Sequence, residues 1–255
     1  MHIEDLAARL DDELRTADFA DIDASANGLQ VARDDPDVER VAFAVDAAEQ
    51  TIDAAVDWDA DLLVVHHGLS WGGIERLTGR TYQRVAGLVE NDVGLYVSHL
   101  PLDAHPDLGN AAGLADRLDL ANRAPFGDLG PETIGQQGSI PGGATADEVT
   151  ALLEEDLDHG GAGVQLLDLG PETIESVAIV TGSGADWFDE ALADDVDAFL
   201  TGEGKGKLYH QARESGVTVF LGGHYATETF GVESLSSLVE EWGPETRVLD
   251  APTGL

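Results

Sequence analysis

Four of the eight histidines in this chain stand at the ends of apolar runs: His66 and His67 after Leu62–Val65, His99 after Leu95–Val97, and His224 after the 217–221 run. An apolar strand gains nothing in packing by finishing in two adjacent imidazoles. His99 and His224 are each followed four residues later by an acid, Asp103 and Glu228. Imidazole and carboxylate in a chain without cysteine form a nitrogen and oxygen donor set. Such a set suits zinc, manganese, iron, nickel or cobalt better than copper(I) or calcium. Neighbouring side chains on an extended strand point opposite ways. His66 and His67 can therefore serve one metal each, or one can bind while the other supports. Asp103 and Glu228 can bridge two cations. His2, His105, His159 and His210 read as loop or surface residues, with at most a supporting place for His105.

Other motifs carry less chemistry. Gly182-Ser183-Gly184 sits at a strand-to-helix turn, where tight geometry accounts for the glycines as well as anion binding does. Gly202–Lys207 resembles a phosphate loop but lacks the G-x-x-x-x-G-K-[ST] spacing. The only two lysines, Lys205 and Lys207, both fall there, so attraction for a phosphate-bearing ligand is open at that point.

The elements needed to position these residues follow a strand–helix–strand grammar. An amphipathic first helix carries Leu6, Leu10 and Leu14 on one face. Strands are expected at 41–45, 62–65 and 95–97, with helices at 46–57 and 81–91. Residues 41–68 resemble 177–203 in apolar pattern and length, and His99 and Asp103 match His224 and Glu228, as an internal duplication predicts. Short apolar strands alternating with helices imply an α/β fold: two similar α/β domains with mostly parallel sheets, and a metal site in the cleft between them. Ligands of such sheets gather at the carboxyl ends of the strands. The expected division is 1–105 plus 222–255 against 106–221, with the Gly- and Pro-rich stretch 126–176 supplying loops and the crossover.

Composition narrows the partners. Fifty Asp and Glu oppose 13 Lys and Arg, a formal net charge of -37. Such a surface repels nucleic acid and anionic membranes. The hydrophobic share of 43%, arranged periodically, separates the chain from disordered polyanions. The acidity reads as adaptation to a high-salt habitat, where self-repulsion is screened. No apolar run is long enough to span a bilayer. The opening MHIEDLAARL lacks the basic and apolar regions of a signal peptide, so a cytoplasmic location is expected.

Five segments, in order, resemble one family. They are Asn27–Val31, His66-His67-Gly68, HLPLDAHPDLGNAAGLA (99–115), Thr201-Gly202-Glu203 and GGHYATETFGVESL (222–235). Together they are similar to the NIF-three-like dinuclear metal-centre family, also known as GTP cyclohydrolase I type 2 homologues. The resemblance spans nearly the whole chain, without the mid-chain insert of longer relatives. It implies two metal ions per chain and a hexameric toroid. Carried over position by position, the ligands are His66, His67, Asp103, His224 and Glu228, with His99 a further ligand or a proton-handling group. The function implied is a metal-dependent hydrolase of a nucleotide or phosphoester; the alternative is a non-catalytic, metal-dependent binding or regulatory scaffold.

Overall fold

The computed structural model describes residues 1–255 and divides into two compact units. The first comprises Met1–Leu102 and Gly231–Ala251, the second Asp103–Phe230 and Pro252–Leu255. The sequence reading placed these crossings after residues 105 and 221.

The first unit begins with α1 (Ile3–Glu13), then β1 (Gly28–Val31), β2 (Arg40–Asp46), α2 (Glu49–Asp57), β3 (Leu62–His67), α3 (Gly79–Glu90) and β4 (Gly94–Val97). The chain leaves this unit within α4 (Leu100–Asp103). The second unit holds α5 (Asn110–Arg117), β5 (Ala121–Leu129), β6 (Glu132–Ala144), α6 (Ala146–Asp156), β7 (Gln165–Leu167) and β8 (Ile174–Val180). It continues with α7 (Phe188–Ala193), β9 (Ala198–Thr201), α8 (Gly206–Ser215), β10 (Thr218–Leu221) and α9 (His224–Thr227). Most of α10 (Thr229–Trp242) and all of β11 (Glu245–Val248) belong again to the first unit.

The first sheet runs β1-β4-β3-β2-β11, parallel throughout except for β1 at its edge. The second runs β5-β6-β8-β9-β10-β7, with a parallel centre, β8-β9-β10, and antiparallel strands outside it. The apolar runs fill the parallel centres because those strands are covered on both faces. Val41–Val45 and Leu62–Val65 are buried throughout, as are Val177–Val180 and Ala198–Leu200. Each unit has its own core, around Ile52, Leu63 and Leu95 in one and Leu114, Ile179 and Phe220 in the other. Leu6, Leu10 and Leu14 of the first helix are buried as their spacing predicts.

The stretch expected to be loops, 126–176, instead contains most of the β5–β6 hairpin, α6 and β7. Its glycines serve the hairpin. Gly130 takes φ +65 in the turn, and a Cβ on Gly135 would collide with the Ile179 carbonyl of the neighbouring strand. Turn residues and close backbone approach explain the composition without loops. Helix α6 opens with a reciprocal cap in which Thr145 N–H donates to Glu148 Oε2 at 2.8 Å.

The duplication is visible in backbone register. Val41 pairs Leu62 and Leu62 pairs Gly94; in the second unit Val177 pairs Ala198 and Ala198 pairs Thr218. An aspartate just before the middle strand pins the neighbouring strand's start in both copies. Asp61 Oδ2 accepts from Glu39 and Arg40 N–H at 2.7 and 2.9 Å, and Asp197 Oδ2 accepts from Glu175 and Ser176 N–H at 2.8 and 3.0 Å. Asp61 also meets the largely buried Arg33 at 2.6 Å.

Burial pushes the Asp61 carboxyl up, but those two N–H donors and Arg33 outweigh it and hold the group below the usual carboxylate range. A carboxyl depressed in the folded state stabilises above its unfolded value and loses that contribution as pH falls through the folded one. Asp61→Asn is therefore expected to cost about 1–3 kcal/mol at neutral pH. In thermal melts the deficit relative to wild type should narrow below about pH 4.

Candidate metal centre

Strand ends place the candidate residues. His66 and His67 finish β3, and His99 follows β4 by two residues. Their ring centroids lie 4.6 Å (His66–His67), 5.1 Å (His66–His99) and 5.7 Å (His67–His99) apart. One ring nitrogen from each falls within 4.8 Å of the others. Three imidazoles this close form a cluster of nitrogen donors that one cation could share.

Each ring is oriented through Nδ1. His66 Nδ1 lies 2.9 Å from the Ser98 carbonyl, His67 Nδ1 3.0 Å from Asp46 Oδ1, and His99 Nδ1 2.9 Å from Asp23 Oδ1. An acceptor at Nδ1 fixes the tautomer that presents Nε2 as donor atom, as in most histidine metal sites. Burial pushes the Asp23 carboxyl up, but His99, Asn27 and the Ser25 N–H together hold it below the ordinary range. Trp71, half exposed, stands edge-on to His99 with centroids 4.8 Å apart.

In the second unit Asp103, His224 and Glu228 gather at the carboxyl side of β8, β9 and β10. Asp103 is buried and accepts from Asn110 Nδ2 at 2.8 Å and Thr181 Oγ1 at 3.4 Å. Its carboxylate and that of Glu228 each bring an oxygen within 4.8 Å of the other. His224 Nε2 lies 3.3 Å from Glu228 Oε2, and its Nδ1 3.1 Å from Glu203 Oε1. Burial works against the His224 imidazolium, yet the hydrogen bond and charge of Glu228, joined by Glu203, prevail and push the group up to about 9.

Gly182 makes room for this pair. It adopts φ +56, and a Cβ there would strike Glu228 Oε1 and come within 3.1 Å of His224 Nε2. Gly182→Ala is expected to displace both side chains and to lower divalent-cation affinity at least about 10-fold, the scale of disturbed supporting residues. Titration with cobalt(II), followed by its visible absorption, checks this.

The structure thus gathers His66, His67 and His99 in one unit and Asp103, His224 and Glu228 in the other. The matched motifs are not in strict register. The equivalent bonds Ser98 N–H to Val65 O and Gly222 N–H to Thr201 O make His99 equivalent to Gly223, not to His224. The two copies also distribute their groups differently. Asp46 at the end of β2 faces His67 at the end of β3. In the other copy Gly182 occupies the first position, Glu203 the second, and His224 supplies the imidazole. Lys205 and Lys207 are both engaged by Asp186, so an incoming phosphate competes with that carboxylate.

Sequence reasoning missed Asp46, Glu203, Asn110, Thr181 and Asp23. Asp46 and Glu203 carried a signal, since one ends an apolar strand and the other follows one by two residues. Asp23 sits in irregular chain and carried none.

The family described as Duf34/NIF3 (NGG1p interacting factor 3) matches residues 1–251. The chain belongs to the NIF3 family. A relative from Halobacterium salinarum, named GTP cyclohydrolase 1 type 2 homolog, is 56% identical over 255 residues and covers 100% of both chains. One of the same name from Pyrococcus abyssi is 38% identical, again over 100% of each. Among solved structures, TTHA1606 from Thermus thermophilus is 36% identical with a TM-score of 0.90, covering 100% of both chains. The structure described as protein ybgI, of unknown function, is 33% identical with a TM-score of 0.91 over the same coverage. The NIF3-family fold is therefore carried along the full length, and the clustered imidazoles and carboxylates are groups that could bind a metal. No helix is long and apolar enough to cross a membrane.

Proposed function

We propose that this NIF3-family chain is a metal-dependent hydrolase acting on a nucleotide or phosphoester. In this reading His66, His67, Asp103, His224 and Glu228 bind two divalent cations per chain, drawn from zinc, manganese, iron, nickel and cobalt, and His99 handles the proton. One observation carries the reading: His66 and His67 each have Nδ1 occupied by an oxygen partner, 2.9 and 3.0 Å away, which commits Nε2 as the donor. The donor set has no sulfur and includes two buried carboxylates, Asp103 and Glu228, a combination suited to borderline divalent ions.

Bound cations supply Lewis acidity, lowering the pKa of water and polarising a phosphoryl or ring carbon centre. The protein's own residues do the rest. Asp46 and Glu203 hold His67 and His224, Asn110 and Thr181 hold Asp103, and His99 accepts a proton at Nε2 and returns it to the leaving group. The test is turnover of GTP, other nucleotides and p-nitrophenyl phosphate in molar salt, with each metal in turn. Activity above that of a Glu228→Gln variant supports the hydrolase. Metal-dependent binding without turnover supports the scaffold that the name "interacting factor" suggests.

The partner is a further copy of the chain, most simply a hexamer working in the cytoplasm of a halophile. Residues 71–89 carry Trp71, Ile74, Leu77, Tyr82 and Val89 exposed, a composition typical of interfaces. Arg76, Arg80 and Arg84 in the same stretch lack the acidic, aromatic or hydroxyl partners found at Arg9, Arg40, Arg123 and Arg213. An acidic face of another copy can supply carboxylates to them. Light scattering in molar potassium chloride is expected to report an oligomer that loosens as salt is withdrawn, because -37 charges per subunit then repel unscreened. A monomer at high salt contradicts this.

A further inference from the structure

Asp23 does no metal binding in the reading above, yet its environment is unusually complete. Its side chain is 1% exposed. Oδ1 accepts from Ser25 N–H at 2.8 Å and lies 2.9 Å from His99 Nδ1. Oδ2 accepts from Asn27 Nδ2 at 2.8 Å and from Leu100 N–H at 3.0 Å. Asn27 Oδ1 in turn accepts the His99 N–H at 2.8 Å. The carboxylate therefore holds the ring of His99 directly and its backbone through Asn27 and Leu100. By contrast, the side chain of Asp46, the partner of His67, is 34% exposed, and His66 relies on a backbone carbonyl.

A turn at 23–25 accounts for the Ser25 contact, since aspartate commonly bonds the N–H two residues on. It does not account for a fully buried carboxylate aimed at an imidazole 76 residues away. An ionised carboxylate only accepts hydrogen bonds, so the Nδ1 facing it carries the proton and a neutral ring keeps its lone pair on Nε2. The Nδ1 contact also fixes the plane in which Nε2 lies, near the rings of His66 and His67.

We infer that Asp23 is a positioning residue, which holds His99 in the Nδ1–H tautomer so that Nε2 is the proton-accepting atom. This rests on the reading of His99 as the proton-handling group. The step it prepares is a simple transfer: Nε2 takes a proton from water as the water oxygen bonds to the electrophile, and the resulting imidazolium returns that proton to the leaving group. In hydrolases with a comparable carboxylate–imidazole pair, exchanging the carboxylate for an amide reverses the tautomer and costs about 10⁴ in kcat.

The test is long-range ¹H–¹⁵N correlation of the histidine rings in metal-stripped protein, with His99 assigned by its absence in His99→Gln. Wild type is expected to show His99 protonated at Nδ1, and Asp23→Asn to shift it toward Nε2–H. Asn27→Ala, which disturbs the turn but leaves the carboxylate, is expected to keep the wild-type tautomer. A wild-type ring protonated at Nε2 overturns the inference, even if Asp23→Asn does not fold. So does a folded Asp23→Asn with an unchanged tautomer. In the metal-loaded protein Asp23→Asn is expected to lose at least about 10-fold in kcat on p-nitrophenyl phosphate or GTP with metal content unchanged. If His99→Ala turns over at the wild-type rate, the reading of His99 fails independently of the tautomer result.

Discussion

Asp103→Asn and Glu228→Gln are expected to yield folded proteins that keep little of the divalent metal carried by wild type. Both carboxylates are buried, at 7% and 4% exposure, and each places an oxygen within 4.8 Å of the other. Two like charges at that separation are costly without a cation, since their repulsion is poorly screened away from water. A bound cation would make the arrangement favourable, and a neutral amide in place of either carboxylate would remove much of that attraction. A fall in affinity of at least about 100-fold is expected, beyond the 10–100-fold typical of supporting residues. Stability should separate the states. Saturating metal at about 100 times its Kd stabilises wild type by about 2.7 kcal/mol, whereas the variants should melt at the same temperature with and without it. Retained metal at the wild-type ratio, or unfolding of the metal-free variants, would count against the assignment.

His99→Ala is expected to do the opposite: keep the metal and lose turnover. His99 lies at the edge of the imidazole cluster, 5.1 Å from His66 and 5.7 Å from His67 between centroids, and it is held by the buried Asp23 instead of the partly exposed or backbone partners of the other two. General acid–base catalysis contributes about 10²–10⁴-fold, so kcat should fall by that order on whichever nucleotide or phosphoester is hydrolysed. KM should change little, because the proton is moved only in the transition state. Loss of metal together with activity would instead make His99 a ligand.

Much of this arrangement was legible in the chain itself. Apolar runs such as Leu62–Val65 read as strands because a strand covered on both faces needs no polar alternation, and their ends point to His66 and His67. The duplication was legible for the same reason, whereas the matching roles of Asp61 and Asp197 show only in the backbone bonds they accept. What the sequence concealed depends on long-range pairing. The hairpin of β5 and β6 is rich in glycine and proline, which resembles loop in composition; only the opposing Ile179 carbonyl explains Gly135. The offset between His99 and His224 was hidden because strand register, not motif spacing, sets equivalence. Asp23 was invisible because its role is defined by His99, far along the chain, and not by its neighbours. Likewise, Gly182 looked like a turn glycine until Glu228 was seen to fill the space a Cβ would take.

The most direct test of the central claim is the metal content of the purified protein, measured by mass spectrometry without added chelator or excess metal. Binding by His66, His67, Asp103, His224 and Glu228 predicts close to two divalent ions per chain in wild type and a marked deficit in Glu228→Gln. A ratio near zero in native protein that also fails to take up zinc, manganese, iron, nickel or cobalt would contradict it.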